Sequence, residues 1–258
     1  MTYGDYLALP EILGAQKPIS AHHDELLFII IHQTKELWLK EMIHEVAYAQ
    51  AQVAAGRLPP AQKALARVSR IQAVMTHSWE VLSTMTPADY LSFRGVLGTS
   101  SGFQSAQFRE LEYRLGLKDA SFLRFHPEGT PAREAMEAAL RAPSLYDAAL
   151  AHLVSHGLLS PAVLERDLTL PYEASAAVED AWLQIYTDTT GRWELYELAE
   201  KLVDLDDALL GWRHKHVLTV ERIIGRRRGT GGTEGVGYLQ STLTRRCFPE
   251  LWSVRSRV

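Results

Sequence analysis

Two histidines stand out because of where helical geometry places them. In the stretch 192–224, Leu202, Leu205, Leu209, Trp212, His216, Val220 and Ile223 recur at spacings of three and four. His216 therefore points inward with an apolar stripe. His214, two residues earlier, falls on nearly the opposite face with Asp207 and Glu221 and is expected in solvent. His32 follows "FIII" in the most apolar helix of the chain, with Phe28 one turn before it. The simplest role for an inward imidazole is a core group satisfied by one or two hydrogen bonds. The sharper alternative is a haem pocket, with one histidine as axial ligand and the other on the opposite wall of a flat apolar slot. A non-haem metal normally takes several close-set ligands, such as two His and a carboxylate. We expect no H-x-x-x-H pair on a common helix face, and "HDE" (23–25) stands at a helix start, where acids are expected in any case.

A second constellation could hold an anion. Tyr90, Arg94 and Leu97 are spaced i, i+4, i+7 and share one helix face. A hydroxyl and a guanidinium one turn apart make a carboxylate receptor, with each charge-assisted bond worth about 1.5–3 kcal/mol when shielded. A surface arginine in a salt bridge is the alternative. The third candidate is the loop "RGTGGTEGVGYL" (228–239). G-x-G-x-x-G would need glycine where Glu234 stands, G-x-x-x-x-G-K-[ST] is absent, and no strand precedes the loop. Its glycines suit a mobile lid instead.

The elements that must carry these groups are helical. Long stretches lack Pro and Gly and show little strand-like alternation. Residues 23–56 are expected to form one long helix, 61–85 a second and 192–224 a third. Thr86, Pro87 and Asp89 start a short helix with a capping box, ending near Gly98. "GTSSG" (98–102) is a loop, 103–117 is helical again, and Ser160–Pro161 starts a further helix through "SPAVLERD". Residues 118–190 are the least informative. The fold class is all-α: a single domain over 1–258, with a haem held between long helices if the sharper alternative is correct.

Composition narrows the partners. The chain has 258 residues, 47% hydrophobic and 22% charged, with a net charge of −4. A chain this close to neutral is not built to coat nucleic acid, so "GRRRG" is a local cluster that suits a helix C-terminus. The one cysteine, Cys247, excludes an intramolecular disulfide and fits a reducing compartment. No signal peptide is evident at the N-terminus, and the longest apolar run, "LLFIII" (26–31), is too short to span a bilayer. A cytoplasmic protein without membrane attachment is expected.

Four stretches together resemble the tryptophan 2,3-dioxygenase family, the haem enzymes that open the indole ring of L-tryptophan. "TYGDYLALPEILGAQKP" is similar to the family's N-terminal segment, and "HDELLFIIIHQTKELWLKE" to its distal-side helix. "DYLSFRGVLGTSSGFQSAQFRELE" resembles the substrate-carboxylate helix and the loop over the haem. "WRHKHVLTVERIIGRRRGTGGTEGVGYLQSTLTRRCFPELW" resembles the proximal helix, closing loop and C-terminal segment. The resemblance covers about half the chain, and residues 118–190 add little to it.

The resemblance implies haem b, active in its ferrous form, with His216 as the proximal iron ligand. It implies His32 as the distal histidine that hydrogen-bonds the indole N–H, and Phe28 as an aromatic lining the indole pocket. Arg94 and Tyr90 would hold the substrate carboxylate, with Leu97 nearby. Thr230, with a propionate, would hold the ammonium. Ser101 and Gly102 would lie above the porphyrin, and Trp79 near it. Tyr3, Tyr6 and Leu7 would enter the pocket of a neighbouring subunit, residues 1–18 making that contact in a homotetramer. The implied reaction inserts both atoms of O2 across the indole C2–C3 bond to give N-formylkynurenine, the first step of the kynurenine pathway. The alternatives are a haem monooxygenase giving an oxindole from tryptophan or a modified indole, and, further off, a non-enzymatic haem-binding protein.

Overall fold

The computed structural model describes every residue except Thr233. Twelve α-helices run in chain order among the described residues, which contain no strand. They are α1 (Tyr3–Tyr6), α2 (Leu9–Leu13), α3 (His23–Ala54), α4 (Leu58–Leu82), α5 (Pro87–Arg94), α6 (Ala106–Leu115), α7 (Pro131–Arg141), α8 (Leu145–Ser155), α9 (Ala176–Thr187), α10 (Trp193–Ile224), α11 (Val236–Ser241) and α12 (Pro249–Ser253). The fold is all-α, as the periodicity predicts.

The long helices α3, α4 and α10 form the frame, with α4 packed against both of the others. On α3 the buried residues Ile31, Leu39, Met42, Val46, Ala49 and Val53 follow the three–four rule. The helix ends as Gly56 turns to φ +71°, a conformation that costs glycine least. Pro59 and Pro60 sit in the first turn of α4, where no intrahelical N–H is needed. One continuous apolar cluster draws on α3, α4, α8, α9, α10 and α12.

Several expected boundaries shift. The second helix begins at Leu58 and ends at Leu82, three residues earlier at each end than the expected 61–85. The stretch 103–117 is not one helix: Gly102–Gln104 is a 3-10 turn, and Ser105 caps α6 by accepting the Phe108 N–H. The predicted helix through "SPAVLERD" is a single 3-10 turn, Pro161–Leu164. Arg166 leaves it to clamp Asp147 on α8 through Nη2 at 2.6 Å, and that tertiary ion pair overrides the local start signal. Helices α7, α8 and α9 fill the region that the sequence left blank.

The C-terminal part is tied down by a buried carboxylate. Glu250 on α12 accepts from the hydroxyls of Tyr146 (2.8 Å) and Tyr172 (2.6 Å) and from the Ser175 N–H (2.8 Å). Among the described residues no helix is long and apolar enough to cross a membrane.

Candidate active site

A cavity of about 610 Å³ opens between α3, α4, α6 and α10, roofed by residues near 97–105 and 229–230. Its size is that of a site for a sizeable organic ligand. His216 borders it from α10 and His32 from α3.

His216 is not a hydrogen-bonded core histidine. Among the described residues neither ring nitrogen has a partner. The ring is held by packing instead, stacked on Trp79 at 4.3 Å and 11° and tilted against Trp212 at 5.2 Å. Burial drives its pKa down to about 3, so the imidazole is neutral and keeps a lone pair for a ligand. His214 is exposed, as its face predicts.

His32 has the opposite arrangement, with one nitrogen committed. Nδ1 lies 2.7 Å from the Phe28 carbonyl, which can only accept, so Nδ1 carries the proton. The other nitrogen, Nε2, is left as an acceptor. Burial lowers the His32 pKa to about 4, against the stabilising bond to Phe28, so the acceptor survives through neutral pH. Phe28 packs on the ring at 4.2 Å.

The cavity is lined by donors that have no partner among the described residues. Lys35 Nζ, Trp79 Nε1, Trp212 Nε1 and Thr219 Oγ1 are buried without partners and all belong to residues on its wall. Native proteins rarely orphan so many buried groups in one place. Burial lowers the Lys35 ammonium to about 6. A flat, apolar ligand with acidic side arms and an electrophilic centre fits this wall, and haem has those properties.

Beside the cavity a buried carboxylate balances two arginines. Glu112 accepts from Arg109 Nη1 at 2.5 Å and from Arg213 Nη2 at 2.8 Å. All three residues are at most 5% exposed. Glu112→Gln would leave two buried guanidinium groups without an anion and is expected to cost about 3–5 kcal/mol in urea unfolding of the haem-free protein. A loss below about 1 kcal/mol would show that the cluster is not a determinant of stability.

The anion-binding group is only partly in place. The predicted capping box forms, with Thr86 and Asp89 exchanging hydrogen bonds at the start of α5. Tyr90 is buried at the cavity wall, its phenol raised by burial while Arg94 beside it opposes the rise. Leu97 also borders the cavity, from a 3-10 turn that follows α5. Arg94 does not. Its Nη2 donates to the Arg228 carbonyl at the start of the glycine loop. Thr230 reaches the cavity, and its hydroxyl donates to the Ser100 carbonyl. Ser101, Gly102 and Trp79 line the cavity. The two loops touch closely: a Cβ on Gly231 would lie 2.8 Å from Ser101 Cβ, so any side chain there would force one of the loops to shift.

The N-terminal residues are not at this cavity. Tyr3 and Tyr6 are 76% and 74% exposed on α1, and Leu7 follows them. The expectation of no H-x-x-x-H pair is also corrected: His152 and His156 close α8 with rings 4.4 Å apart. The spacing was there to be read in the sequence. Among the described residues, no group of three or more metal-ligating side chains includes them. Sequence reasoning missed Lys35, Thr219 and the Glu112 cluster. The one available signal was Lys35 standing one turn after His32 on the inward face of α3.

A family profile described as tryptophan 2,3-dioxygenase matches residues 1–160 and 139–258. The chain belongs to the tryptophan 2,3-dioxygenase family. A relative of that name from Caulobacter vibrioides is 68% identical over 259 residues, covering 100% of this chain and 98% of its own. Tryptophan 2,3-dioxygenases from Ralstonia pickettii and Bacillus cereus are 54% and 50% identical, over 99% and 100% of this chain and 92% and 93% of theirs. The match includes residues 118–190, where the sequence resemblance was thin. Membership of the tryptophan 2,3-dioxygenase family makes the chain an enzyme, a dioxygenase, and sets aside the non-enzymatic alternative.

Proposed function

We propose that this protein is a haem-dependent tryptophan 2,3-dioxygenase that adds both atoms of O2 across the indole C2–C3 bond of L-tryptophan to give N-formylkynurenine. The observation that carries the reading is His216: a neutral, unpartnered imidazole facing a neutral His32 acceptor and a wall of orphaned donors, in a chain of this family. The relatives carry the dioxygenase name, and nothing in the cavity favours the oxindole-forming alternative.

In this reading His216 holds the iron of haem b, and Trp79, Ser101 and Gly102 border the macrocycle. Bound haem, in its ferrous form, supplies the redox chemistry that activates O2 toward the indole. The protein's own groups position the substrate. Phe28 and the apolar wall take the indole ring and exclude water. His32 Nε2 accepts the indole N–H, which fixes the ring's rotation. Arg94 and Tyr90 bind the carboxylate, with Leu97 packing beside them, and Thr230 helps to hold the ammonium. The Arg228 carbonyl takes one of the five Arg94 N–H groups, and the Thr230 hydroxyl can accept from the ammonium while it donates to the Ser100 carbonyl, so both residues tie the substrate to the loops that carry these carbonyls. Holding both ends of a small amino acid turns a bimolecular encounter into an oriented one, the main contribution a protein can make here.

We place Tyr3, Tyr6 and Leu7 in the pocket of a neighbouring copy within a homotetramer, which accounts for two exposed tyrosines on a four-residue helix. The whole chain then acts as one haem-binding domain, working in the cytoplasm on the kynurenine pathway without nucleic-acid or membrane partners.

Mass spectrometry of the product under labelled O2 tests the activity. Reduced, haem-loaded protein with L-tryptophan should give a ring-opened product carrying two labelled oxygens. A product with one labelled oxygen, or none from a protein that does bind haem, overturns the reading.

Two further results are expected. Because the His32 pKa lies near 4, well below the ordinary 6.5, protonation removes its acceptor only as pH falls toward 4. A profile of kcat/KM should therefore show no His32 inflexion between pH 6 and 8, and an inflexion near 6.5 that vanishes in His32→Ala would contradict this assignment. Gly231→Ala should push the glycine loop off Ser101. It is expected to lower kcat/KM by about tenfold or more through misplacement of Thr230, with haem content unchanged. Wild-type kinetics would show that the contact is dispensable.

A further inference from the structure

Lys35 stands three residues after His32 on α3 and borders the same cavity, yet no carboxylate among the described residues pairs with it. The residue is 6% exposed, and its Nζ has no hydrogen-bond partner among the described residues. The ammonium lies 2.7 Å from the centroid of the Trp79 ring. That is inside ordinary van der Waals separation, so the ring crowds the cation rather than replacing an anion. The carboxylates that border the cavity are committed elsewhere. Glu112 serves Arg109 and Arg213, and Glu36 accepts the Gln107 side-chain amide at 2.8 Å. Among the described residues on this wall, Lys35 is thus the one basic side chain without a carboxylate.

A lysine this deep is unfavourable unless something pairs with it. Burial favours loss of its proton, and an anion brought in by the ligand would restore the charge. Resting on the haem reading, we propose that Lys35 is a cofactor-binding residue whose ammonium pairs with a haem propionate. Its four-carbon stem can carry the charge off the Trp79 face to meet that carboxylate. The same side chain then disfavours the haem-free cavity and favours the filled one.

The two signs give the test. Haem-free Lys35→Met, close in shape but uncharged, is titrated with ferric protoporphyrin IX and with its dimethyl ester, whose carboxylates are masked, while the Soret band is followed. The substitution should weaken binding of the diacid by about tenfold or more and leave binding of the ester unchanged. Lys35→Arg should restore the preference for the diacid. The haem-free Lys35→Met protein should melt above wild type, because a buried amino group with no partner among the described residues is gone. If that variant does not fold, Lys35→Gln takes its place with the same expected loss. Equal affinity of wild type and variant for the diacid overturns the proposal. So does a shift in Soret position or spin state, which would put Lys35 on the iron. Wild-type protein that binds neither porphyrin would instead remove the haem reading, and this inference with it.

Discussion

His216→Ala is expected to leave a folded protein that cannot retain haem. The imidazole makes no hydrogen bond among the described residues, so its removal orphans no partner and costs the fold only the stacking on Trp79 and Trp212. The same isolation leaves the ring free to be a ligand, and in this reading it is the protein's bond to the iron. Changes to residues that merely support a ligand typically cost about 10–100-fold in metal affinity, and loss of the ligand itself should exceed that. The measurement is the Soret absorbance of protein reconstituted with haem and passed through a desalting column. Exposed His214, two residues away on the other face, is the control, and His214→Ala should retain haem as wild type does. If His216→Ala keeps an unchanged Soret band, another residue holds the iron and the assignment falls.

That pair of histidines shows what the sequence can carry. The stripe from Leu202 to Ile223 separates His216 from His214 because a 32-residue helix gives the three–four pattern many turns in which to repeat. The long helices α3 and α4 are legible for the same reason. Helices α7, α8 and α9 are only 11 or 12 residues each, and α8 buries most of its surface, so no polar face marks its period. The signal at Ser160–Pro161 is real chemistry and does start a turn. What stops it is Arg166 reaching Asp147, 19 residues back, and no local rule contains that contact.

The site divides in the same way. His32, His216, Tyr90 and Phe28 can be placed from helix faces. The Glu112–Arg213 pair joins residues 101 apart in the chain, so neither helix alone predicts it. Lys35 is hidden for another reason: lysine is the residue most readily assigned to solvent, and only the tertiary structure shows it facing a cavity. Where the sequence expectation was too simple, at Arg94, the cause is a loop. Arg94 shares a helix face with Tyr90 as predicted, but the Arg228 carbonyl, 134 residues away, claims its guanidinium.

Arg94→Ala is therefore expected to damage substrate binding strongly while sparing the cofactor. In the bound state a guanidinium can give the tryptophan carboxylate two parallel charge-assisted bonds, about 3–6 kcal/mol together when shielded. Part of that is offset by desolvating the guanidinium and the carboxylate. The net expectation is a fall in kcat/KM of roughly 10²–10³, mostly through KM, because the carboxylate is held alike in the ground state and the transition state. Arg94 does not border the cavity, so haem content and the Soret band should match wild type. Arg94→Lys keeps the charge but not the fork and should fall between the two. Tryptamine isolates the cause, since it has the indole and the amine but no carboxylate. If Arg94 acts on the carboxylate, wild type and Arg94→Ala should turn over tryptamine at nearly the same low rate. If the variant loses equally on both substrates, the arginine acts through the position of the glycine loop, and the carboxylate is bound elsewhere.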